Sequence, residues 1–165
     1  MTPEYLDLLL DFHYWARDRM LDAVGALSVE QYERDMGNSF PSVRDTANHM
    51  FFAEWIWYAR WIGESPTADD RPAVADREAL RRLWAEHETK VRAFAVSLGK
   101  DGIHRVYEYK TLAGVEMRSK FWEMLVHVVN HATYHRGQVV TMLRQLGAGS
   151  PVSTDMIAYF RQRSA

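Results

Sequence analysis

The chain contains no cysteine. That absence excludes a thiolate nucleophile, a Cys-ligated zinc site and a disulfide scaffold together, and it agrees with a reducing, cytoplasmic compartment. Histidine and carboxylate remain as the strong metal ligands. Long apolar runs are missing too: no stretch approaches the ~20 residues a membrane helix requires. The start "MTPEYLDLLLDF" carries acids and lacks the basic segment and apolar run of a signal peptide, so a soluble protein with no membrane partner is expected. Nor is there a Lys/Arg block. The formal charge is -2 and basic residues occur singly or in short pairs such as Arg81-Arg82, which leaves no electrostatic footprint for nucleic acid.

What is present suits one ordinary globular domain over residues 1–165, with 47% apolar and 25% charged residues. A chain of this length buries roughly two-thirds of its unfolded surface and needs no staple, so a metal here would be functional rather than structural. From Pro3 to about Val24, Leu6, Leu9, Leu10, Met20 and Val24 recur at helical spacing and predict a first long helix. Ser28 to Gln31 resembles a capping box opening one short turn, and "MGNSFPS" breaks the pattern. Ser42 is the expected N-cap of a second long helix to about Ile62, with Asp45 at its third position and Gly63 ending it. Arg77 to about Leu98 reads as a third, closed by Gly99. Residues 104–119 are aromatic and β-branched around Ala113-Gly114 and predict a small hairpin. Lys120 to about Leu146 is the fourth long helix, stopped by the Gly147–Pro151 segment, and Ser153 or Thr154 caps a short closing helix. The expected fold is all-α, a four-helix bundle, and bundles place metal sites in their interior.

His127, His131 and His135 lie at four-residue intervals in the fourth helix. Four positions turn a side chain only about 40° around the axis, so two such histidines can converge on one ion. Phe121, Met124, Val128, Val139, Met142 and Leu146 form one apolar stripe, with His131 and His135 within or beside it and His127 at its margin. The alternative is that these rings are polar residues at a core edge, satisfied by carbonyls or hydroxyls. Candidates for a third ligand are His13, His49, His87 and His104. His87, in the charged "WAEHETK", and His104, beside the hairpin, read as solvated. His49, on a face with Phe52, Ala53, Ile56 and Trp57, and His13, beside Arg17 on the first helix's stripe, are comparable candidates. Gly137 inside a helix costs up to ~1 kcal/mol and implies close packing or site access. Arg136 points away from the pair and reads as a salt-bridge or interface residue. A second apolar face, Trp122, Leu125, Val129, Val140 and Leu143, suits packing within the chain or in a dimer.

"NHATYHRGQVVTMLRQLG" resembles the signature of the DinB-like (DinB/YfiT) family of metal-dependent proteins, and "FHYWARDRML", "SVRDTANHMFFAEWIW" and "PVSTDMIAYFR" resemble its other segments in order. The resemblance implies an up-down-down-up four-helix bundle in which His49, His131 and His135 hold a divalent metal, with zinc or nickel first and iron or copper also compatible. His13 is left as a fourth ligand or a pocket base, and His13, Arg17, Trp57, Arg60 and His127 are the candidate pocket residues. Asp45, one turn before His49, could orient its ring, though capping already accounts for it. The implied function is a metal-dependent enzyme activating a thiol or water for S-transfer or hydrolysis, with a small-molecule substrate, a low-molecular-weight thiol among the candidates, acting as a homodimer. The other reading is a metal- or small-ligand-binding stress-response protein without turnover.

Overall fold

The computed structural model describes residues 1–149 and 152–164. Among these, six α-helices and one hairpin follow in the order α1 (Pro3–Gly25), α2 (Val29–Glu33), α3 (Val43–Trp61), α4 (Arg77–Gly102), β1 (Val106–Lys110), β2 (Glu116–Lys120), α5 (Phe121–Gln145) and α6 (Met156–Arg163). No helix is long and apolar enough to cross a membrane.

The helix starts are fixed by local chemistry. Thr2 accepts from the Tyr5 N–H with Pro3 in the first turn, Ser28 and Gln31 form a reciprocal capping box, Ser42 accepts from Asp45 N–H, and Asp76 from Ala79 N–H. Glu123 accepts from the Lys120 N–H at 2.9 Å and opens α5. In the hairpin Tyr107 faces Ser119 and Tyr109 faces Met117, and the turn uses Gly114 at φ 79°. Gly99, at φ 59°, breaks the helical run where expected, and a further short helical stretch to Gly102 completes α4. One boundary differs from expectation. The N-cap of α6 is Asp155, not Ser153 or Thr154; the Ser153 hydroxyl instead accepts from Asp155 N–H at 3.3 Å. Of the segment expected to stop α5, Ser150 and Pro151 lie outside the described residues.

α1 and α3 each pack against both α4 and α5, and α6 leans on α1. Two apolar clusters lie toward opposite ends of these helices. One holds Met20, Val24, Val43, Leu80, Trp84 and Met142; the other holds Leu6, Leu10, Trp61, Val91, Phe121 and Leu125. Both stripes of α5 are largely covered within the chain, since Leu125 and Leu143 are buried in these clusters and Val129 under Tyr159 of α6. Between the clusters, halfway along α1, α3 and α4, come polar residues.

Candidate metal centre

α3 and α5 bring His49, His131 and His135 together, so that one ring nitrogen of each lies within 4.8 Å of the others. The Nε2 atoms do this: His131 Nε2 is 3.2 Å from that of His49 and 3.1 Å from that of His135. A tetrahedral zinc with Zn–N bonds of about 2.0–2.1 Å separates its ligands by roughly 3.3 Å, so the spacing suits an ion. The donor set suits one as well. A neutral imidazole nitrogen has either one hydrogen or one lone pair, and His131 Nε2 cannot serve two linear hydrogen bonds at once. His135 Nδ1 donates to Gln138 Oε1 at 2.7 Å, which leaves its Nε2 with the lone pair a metal needs. Burial, reinforced by the neighbouring His135, pushes both His49 and His131 down to about 4, so each is neutral near pH 7.

Phe40, from the loop before α3, stacks on His49 at 3.9 Å between ring centroids and meets His135 edge-on at 5.5 Å. Tyr134 closes on His135 at 5.0 Å. Neither Phe40 nor Gln138 was assigned a place at the site from sequence. Gln138 was recoverable, since position i+3 on a helix faces position i; a ring delivered by an irregular loop was not. Asp45 stays in the cap of α3, where Ser42 Oγ donates to it at 2.7 Å.

The candidate pocket residues divide into two groups. Trp57, Arg60 and His127 form a run of contacts along α3 and α5 that starts at His131. The exposed His127 ring lies 5.7 Å from His131 and 5.2 Å from Trp57, and the Arg60 guanidinium lies 4.6 Å from the Trp57 ring. Burial and the Arg60 charge lower the His127 pKa. His13 and Arg17 are elsewhere. His13 is 2% exposed and its Nε2 donates to Glu54 at 2.7 Å, so as a fourth ligand it is superseded by this partner. Arg17 is paired with Asp18 and Glu88.

Glu54 sits at the centre of a second polar cluster. It also accepts from Tyr14 OH and Trp84 Nε1, each at 2.8 Å, and His87 Nε2 lies 3.9 Å away. Burial raises a carboxyl's pKa, but the His13 charge and hydrogen bond, His87 and Trp84 outweigh it and hold Glu54 at about 2. The solvated reading of His87 is therefore corrected: it is buried, because it faces inward while its charged neighbours do not. Arg136 makes no salt bridge among the described residues; its Nη2 donates to Thr133 at 2.6 Å, and burial lowers it to about 10. It lines a groove of about 860 Å³ with Tyr5, Phe12, Thr133, Gly137 and Met156, apart from the three histidines. A Cβ on Gly137 would meet nothing within 4 Å, so close packing inside the chain does not explain that glycine.

A mostly helical chain that brings three histidine Nε2 atoms into one cluster defines a protein with a candidate metal centre between two helices. The DinB family profile spans residues 1–163, and the chain belongs to that family. It is similar to Protein DinB of Bacillus subtilis (strain 168), with 26% identity over 148 residues, 86% of either chain.

Proposed function

We propose that the protein is a metal-dependent enzyme in which His49, His131 and His135 hold a divalent ion, zinc or nickel first, that activates a thiol or water for transfer to, or hydrolysis of, a small molecule. The reading is supported above all by the convergence of the three Nε2 atoms around His131. We read α1, α3, α4 and α5 as an up-down-down-up four-helix bundle, a reading their mutual packing supports. When bound, an ion held by neutral imidazoles keeps its charge uncompensated and acidifies a thiol or water presented to it. Gln138 fixes the tautomer of His135, and Phe40 shields the His49 face from water. His127, neutral and beside His131, is placed to accept the proton that a thiol or water gives up. His13 is not assigned this role, because its Nε2 is engaged in the separate Glu54 cluster.

Equilibrium dialysis against zinc and nickel tests the site. A single ion per chain is expected, lost in His49→Ala, His131→Ala and His135→Ala and kept in His127→Ala. Binding indifferent to the three substitutions refutes the assignment. With metal bound, low-molecular-weight thiols and an electrophile panel test turnover; tight metal binding without turnover on any pair would favour the binding-protein reading. The exposed groove along α5 is our candidate for self-association, checked by light scattering of the purified chain.

A further inference from the structure

The three buried arginines of this chain are treated differently, and one of them, Arg136 in the α5 groove, donates to Thr133 at 2.6 Å. Arg17 has carboxylates from Asp18 and Glu88 at 2.8 and 2.6 Å. Arg60, only 7% exposed, has no carboxylate within 4.0 Å and no hydrogen-bond acceptor among the described residues, and its Nε is fully buried without a partner. Two aromatic faces hold it instead, Trp57 at 4.6 Å and Tyr109 of the hairpin at 5.1 Å from the guanidinium carbon. Those faces attract the cation but leave its hydrogen-bond donors unused. A guanidinium set this deep, with its Nε buried and unpartnered and only its Nη groups left to reach outward, is well placed to receive an anion.

Its placement says what that is. Arg60 follows His49 by 11 residues in α3, three helical turns, so the two lie within about 20° on the same face and about 16 Å apart along the axis. Both side chains tilt toward the N-terminus of α3, the longer Arg60 by more, which brings the guanidinium somewhat nearer the histidines than the axial separation. His127 and Trp57, whose rings are 5.2 Å apart, line the interval, with His127 next to His131.

We propose that Arg60 is the anion-recognising end of the pocket that begins at the three histidines, and that the substrate is an elongated small molecule carrying a carboxylate at the end remote from its reacting group. A planar guanidinium matches a carboxylate in bidentate fashion, which gives orientation as well as affinity. The proposal rests on the metal-site reading above for the near end of the substrate, but the Arg60 end is tested separately.

Calorimetric titration of the zinc-loaded protein with mercaptopropionate, mercaptobutyrate and mercaptohexanoate, each beside its mercaptoalcohol of equal length, measures the contribution of the carboxylate. At least one acid should bind about tenfold or more tightly than its alcohol, as expected for a buried charge-assisted pair. Arg60→Gln and Arg60→Met, the second retaining the apolar stem, should abolish that preference while circular dichroism stays native. Equal affinity of acids and alcohols for the wild type, or a preference that survives in a folded Arg60 variant, overturns the proposal. A second arm uses hexanoate and hexanol, followed by tryptophan fluorescence because Trp57 touches Arg60. Arg60-dependent binding of hexanoate with no thiol binding would keep the proposal and sink the thiol reading. Absence of Arg60-dependent binding in both arms sinks the proposal.

Discussion

Replacement of Glu54 is the most direct test of the packing argument, because one carboxylate on α3 satisfies three donors from α1 and α4. His13, Tyr14 and Trp84 reach it at 2.7, 2.8 and 2.8 Å, and its side chain is 3% exposed. Glu54→Ala leaves three buried donors unpaired and opens a void; breaking a buried charged group of this kind costs about 3–5 kcal/mol. Glu54→Gln keeps the volume and one carbonyl but turns an amide N–H₂ toward a donor and removes the charge, for about 1–3 kcal/mol. In a domain of this size each kcal/mol moves Tm by about 2–4 °C, so the losses should be roughly 6–20 °C and 2–12 °C. The charge leaves a further signature. Glu54 lies at about 2 against an ordinary 4.5, so the unfolded chain binds the extra proton between those values and the stabilisation is lost as pH falls through that window. The wild-type advantage over Glu54→Gln should therefore be full above about pH 4.5 and shrink toward pH 2. Thermal denaturation of metal-free protein, followed by circular dichroism across that range, reads both. A Glu54→Gln variant as stable as the wild type near pH 7, or a difference that does not change with pH, would refute the reasoning.

Gln138→Ala removes the acceptor at His135 Nδ1 and should weaken zinc binding about 10- to 100-fold, as losses of groups behind a ligand do, with little change in fold; competition with a chelator measures it. His49 and His131 have folded pKa values of about 4 against 6.5, so the unfolded chain takes up protons first. Metal-free stability should therefore fall as pH drops from about 6.5 toward 4, by denaturant titration, and the zinc-induced rise in Tm should shrink over the same interval. Gly137→Ala fills open space on α5 and should raise stability by up to about 1 kcal/mol by helix propensity; a loss instead, or dissociation by light scattering, would mean that another chain packs there.

His131 and His135 could be read as a pair because the helical period alone fixes their shared face; His49 came from the family resemblance, since periodicity left it level with His13. Only the tertiary arrangement separates those two: α1 and α3, each packed on α4 and α5, let His13 reach Glu54. His87 was misread for a different reason. The charge of "WAEHETK" averages over all faces of α4, whereas the series Leu80, Trp84, His87, Val91 and Phe94 advances by alternate four- and three-residue steps and places His87 on the buried stripe. Glu54 continues Phe51 toward Tyr58 and Trp61 in the same way, so its burial was also legible. Phe40 over His49 and Tyr109 over Arg60 depend on where an irregular loop and a hairpin come to rest, which no local pattern specifies.

The two polar clusters have opposite electrostatic character. Glu54 follows His49 by five residues in α3, about 140° around the axis, so one helix presents them to different neighbours. The carboxylate of the Glu54 cluster is filled by donors from within the chain, which occupies Glu54 and the Nε2 of His13 and leaves the His13 Nδ1 buried without a partner. At the three histidines the charges that act on His49, His131 and His127 come from one another, His135, Arg71 and Arg60, and none is acidic. A divalent ion added there would meet no neutralising carboxylate among these groups, so on the proposed reading the negative charge would come from what the site binds: a thiolate or hydroxide at the ion and the proposed carboxylate at Arg60.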